Sequence, residues 1–146
     1  MLENDLVTVG WREWVSLPEL GLPHIKAKVD TGARTSCLHA FSVEPFVNKG
    51  APCVRFGIHP HQENTEIEIY CEAEVTDQRH VTDSGGHKEE RYVIATQLVL
   101  GDLRKPIEVT LTNRDTMRFR MLLGRTAMEG CMMVNPSGSY LLGKPN

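Results

Sequence analysis

The sequence predicts an all-β domain, a barrel or a sandwich, with one short helix near its C-terminus. Three observations predict it. Short runs in which apolar and polar residues alternate recur along the chain, the period of a half-buried strand. Gly, Pro, Asn and Asp separate the runs, as turns require. Helical periodicity is nearly absent. At 146 residues, the chain is long enough to bury a core within a single domain spanning 1–146.

The elements follow in order. "LVTVGWREWVSL" (6–17) is a strand rich in Val and Trp. Its Trp11 and Trp14 are three apart and so are expected on opposite faces, one in the core and one at a subunit contact. "HIKAKVD" (24–30) puts Ile25, Ala27 and Val29 on one face. "PCVRFGIH" and "TEIEIYCEAEV" form a hairpin within 51–75, with "PHQEN" supplying the turn between them. In "VTDSGGHKEERYV" (81–93), Gly85-Gly86 sits between charged arms that carry few apolar residues. It reads either as a surface hairpin or as a lid over a site, since weak packing makes opening easy. "RYVIATQLVL" (91–100), Gly101-Asp102 and "KPIEVTLTN" (105–113) make a second hairpin, and "RFRMLLG" (118–124) a last long strand. "RTAMEG" (125–130) is helical and stops at Gly130. "CMMVN" and "SYLLG" are expected to close the chain as a hairpin around Pro136-Ser137-Gly138.

Composition narrows the function classes. The net charge is −3, which leaves no electrostatic footprint for nucleic acid and no basic face for a membrane. No run approaches the roughly 18 apolar residues that span a bilayer. "MLENDLVTVG" lacks the basic-then-apolar layout of a signal peptide, so the expected compartment is the cytoplasm. Cys37, Cys53, Cys71 and Cys131 form no C-x-x-C pair and are read as buried thiols.

The stretch most suggestive of chemistry is "KAKVDTGARTSCLHA" (26–40). An apolar strand delivers Asp30, and Gly32 allows a sharp turn. Such a carboxylate can cap a turn, bind a metal or act as a catalytic acid. Ninety residues on, in "MLLGRTAM" (121–128), a second apolar strand ends in Leu-Leu-Gly and an Arg opens the short helix.

These two pieces, in this order, resemble the retropepsin-like aspartic proteases. That resemblance implies a closed acid-protease barrel in which the Gly124-Arg125 element packs against the loop carrying Asp30, Thr31, Gly32 and Ala33. It also implies a flap at 81–93, with Ser84, Gly85 and Gly86 at the tip, and terminal strands that build a dimer interface. "KVDTGARTSCLHA", "VTDSGG", "IEVTLTNRDTMRFRMLLGRTAM" and "SYLLG" together are similar to a bacterial family labelled ATP-dependent zinc protease. Its members occur alone or joined to ATP-grasp ligases that add glutamate to proteins or peptides. By this resemblance the partners are a peptide or protein substrate, a second copy of the chain, and an ATP-grasp ligase.

The residues test the label. No G-x-x-x-x-G-K-[ST] loop and no H-E-x-x-H motif is present. His59-Pro60-His61 with Glu63 is the densest histidine cluster, and Cys37 with His39 puts two ligand types on one strand face. Solvated loop histidines are the plainer reading, so no cofactor is expected from the residues; zinc stays open only as what the family label implies, with His59 and His61 as the weak candidates, and no ATP site is seen.

An aspartic peptidase needs two carboxylates around one water. The chain has one Asp-Thr-Gly, and Asp83-Ser84-Gly85 lacks an apolar strand to deliver it. A homodimer pairing two copies of Asp30 is the economical arrangement. Thr31 and Gly32 then hold and aim the acid. The sequence departs from the retropepsin pattern after the loop, where Arg34 and Thr35 stand in place of acids. Arg125 must therefore find another partner, among the loop carbonyls, Glu129 or Asp115. The segment 51–75 is longer than a minimal retropepsin needs and reads as an insertion. Three readings stand: an aspartic peptidase acting on peptide or glutamate-linked amide bonds, a non-catalytic peptide- or ligase-binding module, and a zinc-dependent peptidase.

Overall fold

The computed structural model describes residues 6–62, 64–82, 85–114 and 118–144. Twelve strands and one short helix are built over them. In chain order the strands are β1 (Val7–Val9), β2 (Arg12–Leu17), β3 (Leu22–Val29), β4 (Ser36–His39), β5 (Ser42–Asn48) and β6 (Ala51–Ile58). They continue with β7 (Ile69–Glu74), β8 (Asp77–Thr82), β9 (Lys88–Leu100), β10 (Leu103–Thr112), β11 (Met121–Leu123) and β12 (Met132–Val134). The helix α1 is Arg125–Met128.

The main sheet runs β10-β4-β11-β3-β2-β9-β8, and its two long strands, β9 and β10, also pair with each other. That second pairing curls the sheet back on itself. The seam between β2 and β9 is a single residue pair, Ser16 with Val99, so the enclosure is not a clean closed barrel. Alternation puts Ile25 and Ala27 of β3, Leu38 of β4, and Met121 and Leu123 of β11 fully inside. Each fully buried side chain of Leu or Ile size contributes about 1.5–3 kcal/mol relative to exposure.

β5, β6 and β7 form a separate antiparallel sheet. Its inner residues Val54 and Phe56 are fully buried and join the main core. The predicted hairpin within 51–75 is thus β6 and β7, and β5 adds a strand that the alternation did not predict.

Four local expectations are corrected. The strand predicted over 6–17 is broken at Gly10-Trp11, because residues 135–140 cross it. The Trp11 N–H donates to the Gly138 carbonyl, and the Asn135 N–H to that of Val9. A Cβ on Gly10 would collide with the Gly138 carbonyl oxygen. Trp11 therefore precedes β2 rather than alternating within it. Arg12 stacks on both Trp11 and Tyr140, and Tyr140 tilts onto Trp14, so the two indoles belong to one band.

The last long strand is only Met121–Leu123, the stretch that fits between β3 and β4. No terminal hairpin forms. β12 pairs in parallel with β1 of the same chain, and "SYLLG" runs back over the start of β2. Its Leu141 and Leu142 N–H groups donate to Glu13 at 2.9 and 3.2 Å.

Candidate active site

Asp30 directly follows β3, at the point where the strand leaves the sheet. The acid loop is held from below by the β11–α1 turn. The Asp30 N–H donates to the Leu123 carbonyl at 2.9 Å, the Arg125 N–H to that of Ala33 at 2.7 Å, and the Thr126 N–H to that of Arg34 at 2.9 Å. The Gly124 N–H reaches the Ser36 hydroxyl at 3.0 Å. Gly124 is required by proximity. A Cβ there would lie 2.5 Å from the Thr35 carbonyl carbon and 2.7 Å from the Ser36 nitrogen. We expect Gly124→Ala to cost ~1–3 kcal/mol through forced backbone displacement. Chemical denaturation checks it, and an unchanged midpoint would mean that the turn yields freely.

Inside the loop, the Gly32 N–H donates to Asp30 Oδ1 at 2.9 Å. This fixes the carboxylate in an Asx-type turn. Within one chain Thr31 contributes its carbonyl, which accepts from the Arg125 guanidinium at 3.0 Å. Arg125 has thus found a loop carbonyl where the family pattern would offer an acid. Arg34 is exposed and Ala33 half-buried on the same loop. Lys105 lies behind the helix and donates to the carbonyls of Thr126, Ala127 and Glu129. A cation there complements the helix C-terminus.

Above the loop lies a cavity of about 700 Å³. Asp30, Gly32, Arg34 and Thr35 form one side of it, and Cys37, Arg91, Thr110 and Leu122 the wall. Arg79, His80, Val81 and Thr82, the β8 arm of the β8–β9 hairpin, line it as well. Gly86, with φ +83°, takes the left-handed conformation after the turn. Ser84 and Asp83 lie outside the described residues; Gly85 and Gly86 lie within them and are exposed. One arm of the hairpin that the sequence left open between surface loop and lid therefore lines the same cavity as Asp30.

The weaker metal candidates are not brought to this place. His59 is a buried side chain, not a solvated one: it stacks on Phe41 at 4.3 Å, with Glu68 at 3.6 Å from Nε2. His61 is exposed, and its carbonyl accepts from the Arg120 guanidinium. Among the described residues, no three of His, Cys, Asp and Glu converge as a metal site.

Sequence reasoning missed two polar groups. Glu13 is fully buried; its register with Val15 and Leu17, an acid on the inward side of β2, was the available signal. Arg91 emerges beside Cys37 only because β9 and β4 flank β10, whose Thr110 is in register with both Val93 and Cys37. Of the thiols, burial pushes Cys37 upward and Cys71 up to about 12, and all four cysteines are free.

His39, at the end of β4, is held below the ordinary imidazole value of 6.5, first by burial and then by the Arg91 guanidinium. Its unfolded form therefore takes up a proton more readily than its folded form. Stability present above pH 6.5 is expected to fall as the pH drops through that value. Thermal unfolding from pH 7.5 to 5 should show the loss, and His39→Asn should flatten it. An identical profile in the variant would remove the imidazole as the cause.

A mostly-β sheet that curls on itself, an Asp-Thr-Gly-Ala loop clipped by a Gly-Arg helix turn, and a hairpin across the resulting cavity define a retropepsin-like acid-protease domain. The RimB-like family model, described as retropepsin-like aspartic endopeptidase RimB, matches residues 8–145, and the chain belongs to this family. Curated relatives share its sequence at high identity. A probable alpha-L-glutamate ligase of Shewanella halifaxensis is 47% identical over 146 residues, 100% of this chain and 32% of the relative. One from Parasynechococcus marenigrum is 53% identical over 137 residues, 94% of this chain and 29% of the relative. The chain thus spans about a third of the length of these relatives. The crystal structure of a Legionella pneumophila protein of unknown function superposes with a TM-score of 0.77 at 28% identity, covering 93% of this chain and 98% of that one. No helix among the described residues is long and apolar enough to cross a membrane.

Proposed function

We propose that this domain is an aspartic-type peptidase that hydrolyses glutamate-linked amide bonds in peptide or protein chains, using Asp30 from each of two subunits. The observation that carries this reading is the hydrogen-bonded Asp30 lining a cavity that an arm of the β8–β9 hairpin also lines. A single such carboxylate is half of the required pair, and a twofold axis supplies the other half.

Two carboxylates about 3 Å apart cannot both ionise, so the pair shares one proton. The ionised member takes a proton from the attacking water, and the protonated member polarises the scissile carbonyl. Gly32 fixes the carboxylate's direction, and the β11–α1 turn keeps the loop from shifting under load. The β8–β9 hairpin lies over the bound chain and excludes water. No step needs a metal or a nucleotide. The glutamate-linked substrate class rests on the relatives, which are named probable alpha-L-glutamate ligases. An enzyme that trims such chains fits beside an enzyme that makes them, and a ligase of the ATP-grasp type, acting in the cytoplasm, is the proposed partner.

The test is to incubate the chain with an α-linked oligoglutamate and follow new α-amines, with and without a chelator. Cleavage that persists in chelator supports the paired-acid reading. Cleavage abolished by chelator and restored by zinc would favour the metallopeptidase.

A further inference from the structure

The cavity wall carries an unusual concentration of one charge. Among the described residues that line it, Asp30 is the single carboxylate, whereas three are arginines, Arg34, Arg79 and Arg91. The three differ in how they are satisfied. Arg79 donates to Asp77 at 2.7 Å and to both oxygens of Glu108 at 3.1 Å, so its fork is filled. Arg34 is exposed on the acid loop, where water can serve it. Arg91 is satisfied only in part. Its side chain is 11% exposed, and one terminal nitrogen makes a long hydrogen-bonded ion pair with Glu89 at 3.5 Å. The other terminal nitrogen donates to the Cys37 sulfur at 3.4 Å, and Nε has no acceptor among the described residues.

A guanidinium offers five N–H donors in a rigid fork, and a thiol is a poor acceptor for any of them. Arg91 therefore gives one terminal N–H to a soft, weak partner on the wall of the cavity that holds Asp30. A carboxylate entering that cavity is a far better acceptor, because its bond to the guanidinium is charge-assisted. An amide of the same shape brings no charge. Discrimination between the two is what a glutamate-selective enzyme requires.

We propose that Arg91 is a specificity-determining residue of this site: its guanidinium binds the side-chain carboxylate of a glutamyl unit of the substrate, which replaces the Cys37 sulfur as acceptor. This rests on the peptidase reading above and adds to it the group that selects the substrate. Arg91 holds the chain and leaves the bond-breaking to Asp30.

Two probes test it, α-linked tetraglutamate and α-linked tetraglutamine. The full chain carrying Asp30→Asn, which should bind without cleaving, is titrated with each by calorimetry, and the unsubstituted chain is assayed for turnover of each. We expect Arg91→Gln to weaken tetraglutamate binding and kcat/KM by ~10- to 100-fold, the loss of one charge-assisted hydrogen bond. Tetraglutamine should change by no more than about threefold, so that selectivity, and not folding, carries the effect. A glutamate-to-glutamine ratio equal to that of the parent would overturn the assignment. Should Arg91→Gln fail to fold, Arg91→Lys decides, since an ammonium keeps the charge and lacks the fork. A ratio lowered by about threefold or more supports the proposal, and an unchanged one overturns it. The two readings fail separately. If no probe is cleaved but Asp30→Asn protein still prefers tetraglutamate through Arg91, the peptidase reading falls and the anion site stands. If cleavage occurs without preference, the reverse holds.

Discussion

Asp30→Asn in every subunit should abolish cleavage, lowering turnover by about 10³-fold or more, the scale of lost general acid–base catalysis. The fold should survive. The Gly32 N–H donates to Oδ1 of Asp30, and an asparagine keeps an oxygen acceptor at that place. The backbone clasp of the loop by Leu123, Gly124 and Arg125 does not involve the side chain. Far-ultraviolet circular dichroism and the urea midpoint should therefore match those of the parent. Retained turnover would end the peptidase reading. Tight oligoglutamate binding by a parent protein that never cleaves would point to the binding-module reading instead.

The same variant tests the shared site. If two copies of Asp30 form one pair, mixing parent and variant under exchange should reduce activity as the square of the parent fraction, because only parent–parent pairs work. A site complete in one chain would lose activity in direct proportion. The internal pairing of β1 with β12 bears on this. These segments are joined within one chain, so a second copy must add to that two-stranded sheet or use another surface. Cross-linking through a cysteine introduced at Met133, which is 56% exposed on β12, would distinguish the two.

The largest expected effect on stability is at Glu13. Its carboxylate is fully buried and accepts the N–H groups of Gly10 at 2.7 Å, Leu141 at 2.9 Å and Leu142 at 3.2 Å. One side chain thereby holds the break before β2 and the returning C-terminal segment together. Glu13→Ala removes all three acceptor contacts at once. Each buried donor left unmade costs about 1–3 kcal/mol, so a loss of ~3–5 kcal/mol is expected. That is a large share of the 5–15 kcal/mol that roughly bounds a domain's total stability. Glu13→Gln keeps one oxygen and should fall between the two. Urea unfolding measures both, and a loss of under about 1 kcal/mol for Glu13→Ala would show that water or a rearranged tail replaces the carboxylate.

The site was legible where the signal was local. Asp-Thr-Gly-Ala at the end of an apolar strand, and Leu-Leu-Gly-Arg ahead of a helix, announce backbone shapes that neighbouring residues dictate. Their mutual contact followed from resemblance, and the structure places the two together. The hairpin at 81–93 was legible from Gly85-Gly86 between sparse, charged arms, and its place beside Asp30's cavity was expected from the resemblance alone. Glu13 was hidden because an acid in a strand is normally on the wet face. Only the return of the C-terminal segment brings the Leu141 and Leu142 N–H groups to join that of Gly10. The predicted terminal hairpin failed for a related reason: "CMMVN" and "SYLLG" have strand-like composition, but their partners are β1 and the Glu13 carboxylate, both more than a hundred residues away.

By itself, the sequence determined that this chain is all-β, where most of its strands lie, and which acid sits at a tight, glycine-bearing strand exit. These are consequences of side-chain alternation and backbone freedom, which act over a few residues. The tertiary structure decided that the sheet curls back on itself, that the Gly124 turn grips the acid loop, and that Arg91 and Cys37 meet at the cavity wall. Those facts depend on which strands become neighbours. Strand order is set by packing and hydrogen bonding across the whole chain, and no short window of residues encodes it.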